Sequence, residues 1–346
     1  MSTALAMQAP PAAPPGPVVR GSGRERVASW PLLDRVGYWL TWVTGVGLCL
    51  IALAIVLFMF FKGISFLKLS MFVQSPAPEP IQSKSGGFLD PIVGTLIVGV
   101  LGTVIAAPIG VAIACWLSEY RRPSWLARTV ESAIEIIAGT PSVVLALFGL
   151  LIFSQSFLAF LSQRAADGQV YGRSFFAASA VMAVLALPLI VGSTREALSQ
   201  LPDRLREASY ALGRTRATSI RRILLPAIRP GIATGTVLGL GRIIGDTAII
   251  KILLGVNLLN EGVGHVPLVS TLRGTGATLT TFVFENSPSG EGNAPQKAYA
   301  AAFVLMMIVL ALNALVTWLS NIGGERRTVS TFASRLLRLG GASWTR

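Results

Sequence analysis

Six separate stretches of this chain are each apolar over a length that crosses a lipid bilayer as a helix, and that pattern narrows the architecture more than any motif does. A spanning helix needs about 20 predominantly apolar residues. The stretches run near Tyr38–Phe61, Ile92–Trp116, Ile134–Phe153, Phe175–Val191, Ile232–Leu254 and Ala298–Leu319. With 346 residues, 52% of them hydrophobic and only 13% charged, and a mean hydropathy of +0.65, the chain is too apolar for a soluble domain of its length. The expectation is an all-α integral membrane protein with six transmembrane helices.

Orientation follows from the basic residues, because loops rich in Lys and Arg stay in the cytoplasm. With the N-terminus inside, 20 of the 29 basic residues fall on the inner side. They are Arg20, Arg24, Arg26 and Arg35, then Arg121, Arg122 and Arg128, then eight arginines from Arg195 to Arg229, then five beyond Glu325. Both termini are therefore expected in the cytoplasm. The net charge of +13 reads as this topology signal with attraction to anionic lipid added. No basic and aromatic cluster of a nucleic-acid module accompanies it. Residues 1–29 lack the apolar core of a signal peptide and read as a disordered cytoplasmic tail. Residues 30–90 hold the first span and an outer loop, 91–322 the core with a long inner loop at 193–231, and 323–346 a basic cytoplasmic tail with an amphipathic run at Arg335–Arg338.

Catalytic chemistry finds no footing. Cys49 and Cys115 lie inside expected spans and read as packing residues, and the single His265 falls in an outer loop, which leaves no metal-ligand set. None of the five lysines follows the glycines of a phosphate-binding loop, so the polypeptide carries no ATPase of its own. No catalytic residue and no directly bound cofactor is expected. If the chain pumps, its motor is a separate subunit.

The inner loop contains EASYALGRTRATSIRRILLP, from Glu207 to Pro226. Pro202 suits a first-turn position. Asp203 and Glu207 place negative charge early in a short helix, and Gly213 supplies a left-handed residue to end it. Thr215 then caps a second, basic helix that runs to Ile223 and is stopped by Pro226 and Pro230. Physically this is either a docking hairpin or an interfacial hairpin whose arginines bind lipid headgroups. The spacing fits E-A-A-x3-G-x9-I-x-L-P, with Glu207, Ala208, Gly213, Ile223, Leu225 and Pro226 in register and Ser209 in place of the second alanine. This resembles the coupling loop of the membrane subunits of bacterial ABC importers, where a short helix docks on a separate ATPase.

The fifth stretch reads IATGTVLGLGRIIGDTAIIKILLG and holds an arginine near its middle. An unpaired Arg at the bilayer centre costs about 2.5–3.5 kcal/mol even on the lenient scale. Arg242 therefore needs a partner or a water-filled path. Asp246, four residues on, shares its face in a continuous helix and can neutralise it. Gly235, Gly239, Gly241 and Gly245 permit close helix approach, and Lys251 is placed to reach the interface. A structural pair and a substrate role both remain open on these grounds. In the third stretch Pro141 is expected to kink the helix by freeing the carbonyl of Ile137, and Glu131 and Glu135 to pair with Arg128. Thr140, Thr236 and Thr247 are further donors, or bond to nearby helix carbonyls.

GRIIGDTA is similar to the R-x-x-G-E-T segment of Pst phosphate-importer permeases, with Asp246 in place of glutamate. AGTPSVVLALFGL (Ala138 to Leu150) resembles that family's third-helix segment, and GSTREALSQLPDRLREASYALG its coupling-loop lead-in. The resemblance covers roughly Gly87 to Leu319 and favours the PstA type. It implies a type I ABC importer permease (MetI-like) fold in a bacterial cytoplasmic membrane, with inorganic phosphate passing Arg242, Asp246, Thr247 and Thr140. It also implies a PstC-like second permease, two PstB-like ATPase subunits carrying ATP and Mg, and an extracytoplasmic PstS-like phosphate-binding protein that docks partly on the outer loop Val256 to Gln296. The alternatives are a permease of the same architecture for sulfate, molybdate or an amino acid, and a non-transporting membrane scaffold or sensor.

Overall fold

A computed structural model of the protein describes residues 31–76, 86–120, 123–162, 170–255, 271–288, 290 and 294–322. The two terminal tails, His265 and much of the Val256 to Gln296 loop lie outside the described residues. Among the described residues four helices are long and apolar enough to cross a membrane. They are α1 (Leu32–Ile64), α2 (Leu89–Cys115, continued by a π-helical turn over Trp116–Tyr120), α5 (Phe175–Ser199) and α12 (Pro295–Ile322). Two bent pairs make up the remaining candidates: α3 (Ser124–Gly139) with α4 (Ser142–Phe153), and the helical run Arg216–Ala227 with α9 (Arg229–Gly245). The count is four spans, or six if each bent pair is one span.

The expectation of unbroken spans is thus corrected in two places. Over Ile134–Phe153 the chain does not merely kink; it turns by 111° between α3 and α4. A proline disfavours the helical region for the residue before it, and Thr140 accordingly takes φ −78° and ψ 130°. The carbonyl of Ile137 is not left free, since the Thr140 N–H donates to it at 3.3 Å. Over Ile232–Leu254, α9 stops at Gly245, Asp246 is extended (φ −82°, ψ 123°), and α10 (Ala248–Leu254) begins afresh. Glycine and aspartate are among the poorer helix formers. The backbone groups they release find side-chain partners: Asp246 Oδ1 accepts the Ile249 N–H at 3.0 Å, and the Thr280 hydroxyl donates to the Ile244 carbonyl at 2.8 Å. Irregular backbone survives in an apolar setting only when satisfied in this way.

By its internal contacts the chain divides into Met1–Leu57 and Phe58–Arg346. In the first unit the Leu32–Leu57 part of α1 exposes apolar side chains such as Leu40, Val43, Leu48 and Ile51, a surface suited to lipid. In the second unit α5 lies between α2 and α9. Its fully buried Ile190 fills the space left by Gly110 of α2 and by Gly235 and Gly239 of α9. In a membrane, helices associate through such close packing rather than through expulsion of water. A Cβ on Gly235 would sit 3.0 Å from Ser193 Cβ and 3.2 Å from Ile190 Cα. Gly235→Leu is therefore expected to part α5 from α9 and remove most of the monodisperse peak in size-exclusion chromatography in detergent. Gly241→Leu, where an added Cβ meets nothing within 4 Å, is expected to leave that peak in place. A smaller core joins Phe88, Met71, the short helix α11 (Leu279–Asn286) and α12 through Leu279, Phe282, Ala300 and Val304.

Candidate functional site

Two regions collect the unusual chemistry: the loop between α5 and α9, and the break between α9 and α10. α5 runs to Ser199, past its expected end at Val191, before the loop folds as α6 (Asp203–Ala211) and α7 (Arg216–Ser219), a π-helical turn (Ile220–Leu224) and α8 (Leu225–Ala227). Gly213 ends α6 at φ +71°, the left-handed region that favours glycine. The Gly213 N–H bonds the Tyr210 carbonyl at 2.9 Å, and the Arg214 N–H that of Ser209 at 3.3 Å. Thr215 caps α7 by accepting the Thr218 N–H at 3.4 Å. Pro226 does not stop the second helix as expected. The π turn rearranges the hydrogen bonds where the proline has no N–H to give, and the chain turns by 73° only at Ile228.

The loop stands on a buried footing of Leu198, Leu224 and Ile228 with Cys115, against which Leu225 and Ile220 pack. Glu207, Ala208, Gly213 and Pro226 are exposed, and Ile223 is half-buried. Exposed beside them are Leu205, Tyr210 and Leu212, the last 77% accessible. Sequence reading passed over these three, although a polar helix carrying bulky apolar residues was a visible signal. Ser209, the one departure from the motif, is buried and shares a hydrogen bond with Ser219, tying α6 to α7. Glu131 does not follow the pairing expected with Arg128; it forms an ion pair with Arg195 of α5 at 2.7 Å. Tertiary contact between α3 and α5 overrides the neighbour on the same helix.

At the α9–α10 break Arg242 is exposed, whereas Asp246 is only 8% accessible. The pairing expected of them presumed a continuous helix. Once the helix ends at Gly245 the four-residue spacing no longer sets a common face, and among the described residues no ion pair joins them. Asp246 caps α10 instead. Thr247 is partly exposed at the same break. Thr140 lies at the α3–α4 bend with its hydroxyl on the Ile136 carbonyl at 2.6 Å, and Thr236 bonds the Ile232 carbonyl at 2.8 Å. Among the described residues, no hydrogen bond joins Thr140 to Arg242 or Asp246. The Lys251 ammonium pairs with Glu285 of α11 at 2.6 Å and lies 4.5 Å from the Phe284 ring centroid. The second halves of the two breaks, α4 and α10, pack together with α5 through Ala146, Ile249, Ile250 and Leu253.

The arrangement presents a permanent cation at the exposed end of α9, next to a break in the helix. Gly241 and Gly245, which flank Arg242, have open space where a Cβ would point, unlike Gly235 and Gly239. An uncovered guanidinium in hydrocarbon is costly, so this face suits either a second helical subunit or an aqueous path.

The sequence profile of the family described as "Binding-protein-dependent transport system inner membrane component" matches residues 106–326. Among curated relatives, the phosphate transport system permease protein PstA 1 of Mycobacterium tuberculosis is 30% identical over 243 residues, 70% of this chain and 73% of that one. The phosphate transport system permease protein PstC of Haemophilus influenzae is 33% identical over 190 residues, 51% of this chain and 60% of that one. Among solved structures, a bacterial ABC transporter involved in the import of the acidic polysaccharide alginate superposes with a TM-score of 0.54 at 18% identity, over 81% of this chain and 95% of that one.

Proposed function

The chain belongs to the family of binding-protein-dependent transport system inner membrane components, and from that premise we propose that it is a permease subunit of an ATP-driven importer of inorganic phosphate. The observation that carries this reading is Arg242, exposed on α9 beside the break at Asp246. A phosphate ion crossing a low-dielectric barrier needs compensating charge, and arginine stays protonated while offering a planar fork to the oxyanion. Asp246, held by the Ile249 N–H, shapes the break rather than neutralising the cation, and leaves Thr247 beside it as a hydroxyl donor. Thr140 contributes from the other bend. The names of the Mycobacterium and Haemophilus relatives support phosphate as the solute.

In this reading a homologous, PstC-like permease covers the Arg242 face and completes the path. Of two PstB-like ATPase subunits, which carry ATP and Mg, one docks on the exposed loop through Glu207, Tyr210 and Leu212 around the Gly213 turn and the other on the partner permease, and a PstS-like extracytoplasmic protein delivers phosphate. The subunit sits in a bacterial cytoplasmic membrane with both termini and α6–α8 on the inner side, consistent with the eight arginines between Arg195 and Arg229. The test is uptake of labelled phosphate by proteoliposomes of the co-expressed complex, with binding protein and ATP supplied. Unlabelled phosphate is expected to suppress uptake, and sulfate, molybdate and amino acids to leave it unchanged. ATP hydrolysis without phosphate uptake, or suppression by sulfate or molybdate, would overturn the assignment of phosphate.

A further inference from the structure

One guanidinium ties the loop to a helix with which it shares no covalent connection. Arg206 of α6 donates through Nε to Glu119 Oε1 at 3.1 Å and through Nη1 to Asp203 Oδ1 at 2.9 Å. The same side chain reaches the carbonyls of Leu198 at 3.0 Å and Leu201 at 3.3 Å. Glu119 lies 87 residues earlier, in the π-helical turn that continues α2, and its side chain is only 6% exposed. Arg216, across the Gly213 turn, adds a bond to the Glu119 carbonyl at 3.4 Å. The rigid fork of five N–H donors thus joins the end of α5, the start of α6 and the end of α2.

We propose that the Arg206–Glu119 pair makes α6 and α2 move as one body, so that Arg206 and Glu119 are positioning residues through which the ATPase stroke reaches α2; this rests on the permease reading above. The chain itself links the loop only to α5 and α9. A push on α6 would otherwise reach α2 only through side-chain packing and the long Arg216 bond to the Glu119 carbonyl. With the pair in place it arrives directly at a helix that packs along α5 and sets Gly99 and Gly102 against Ile244 and Ile243, beside the α9 break. Stability alone accounts poorly for the pair, because taking two charges out of water commonly offsets their attraction. A π-helical turn at such a joint is also a frequent mark of function.

The test uses the complete complex with Cys49→Ser, which removes the exposed native thiol. Spin labels are placed at Arg204→Cys on α6 and Val104→Cys on α2, both exposed positions. In the otherwise unchanged chain the label distance is expected to be the same in the nucleotide-free and vanadate-trapped states. In Glu119→Gln, and separately in Arg206→Lys, it is expected to differ between the two states, with the ATP consumed per phosphate moved rising severalfold. In Glu119→Gln the Arg206 guanidinium keeps Asp203 as its counter-charge, so this variant guards against simple misfolding. A merely structural role would lower the yield of complex while leaving the distance and the ratio of the surviving complexes unchanged, and that result would overturn the proposal. So would a distance that already changes in the reference chain. If the reference complex hydrolyses ATP but moves no phosphate, the substrate reading fails while the distances still decide this one; if no ATPase joins the complex, both fall.

Discussion

Arg242→Ala is expected to abolish phosphate uptake while the complex still assembles and hydrolyses ATP. The cation is exposed on α9 and has no ion-pair partner among the described residues, so removing it strands no buried carboxylate. What is lost is the charge that meets the anion. A charge-assisted hydrogen bond contributes about 1.5–3 kcal/mol, and because Lys251 of α10 is already held by Glu285 the loss falls at the upper end, about a hundredfold in rate. Arg242→Lys keeps the charge but not the two-pronged geometry and is expected to retain partial uptake. Initial rates of labelled phosphate entry, normalised to complex recovered by size-exclusion chromatography, check both. Wild-type uptake by the alanine variant would remove Arg242 from the path.

Gly213→Val is expected to uncouple the complex, with uptake falling at least about tenfold while the thermal stability of the isolated permease changes little. The backbone there sits at φ +71°, where a side chain costs about 1–2 kcal/mol. An added Cβ meets nothing within 4 Å in this chain. The damage is therefore confined to the turn that sets α6 against α7, on the surface assigned to the ATPase. Asparagine tolerates the left-handed region better, so Gly213→Asn is expected to fall between the two. Uptake and ATP hydrolysis measured on the same proteoliposomes separate uncoupling from loss of assembly. Normal uptake by the valine variant would show that the turn is not needed for coupling.

Much of this was legible in the residue order. Hydropathy alone located the four long apolar helices, because a bilayer imposes one length and one polarity on whatever crosses it. The loop was legible too, in that Gly213 and Thr215 act through their own backbone and their nearest neighbours, and such effects depend little on the rest of the fold. The helix breaks were legible only as a kink at Pro141, neither in its size nor in the stop at Gly245. Gly245, Asp246, Thr140 and Pro141 are tolerable in many helices, and whether a span stops there depends on what receives the freed groups: Thr280, 36 residues away, for the Ile244 carbonyl, and the Asp246 carboxylate for the Ile249 N–H. With that, the expected Arg242–Asp246 pair dissolved; Glu131, expected to pair with Arg128 on its own helix, meets Arg195 instead, and Lys251 and Glu119 hold partners far along the chain, Glu285 and Arg206, for which no expectation had been formed. The sequence by itself determined which segments are apolar and how the Gly213–Thr215 turn is built, since those follow from each residue's own solvation and backbone preference. Only the tertiary structure decided which charges meet, because electrostatic attraction is settled by distance in space, and the packing of α2, α5 and α9 sets those distances.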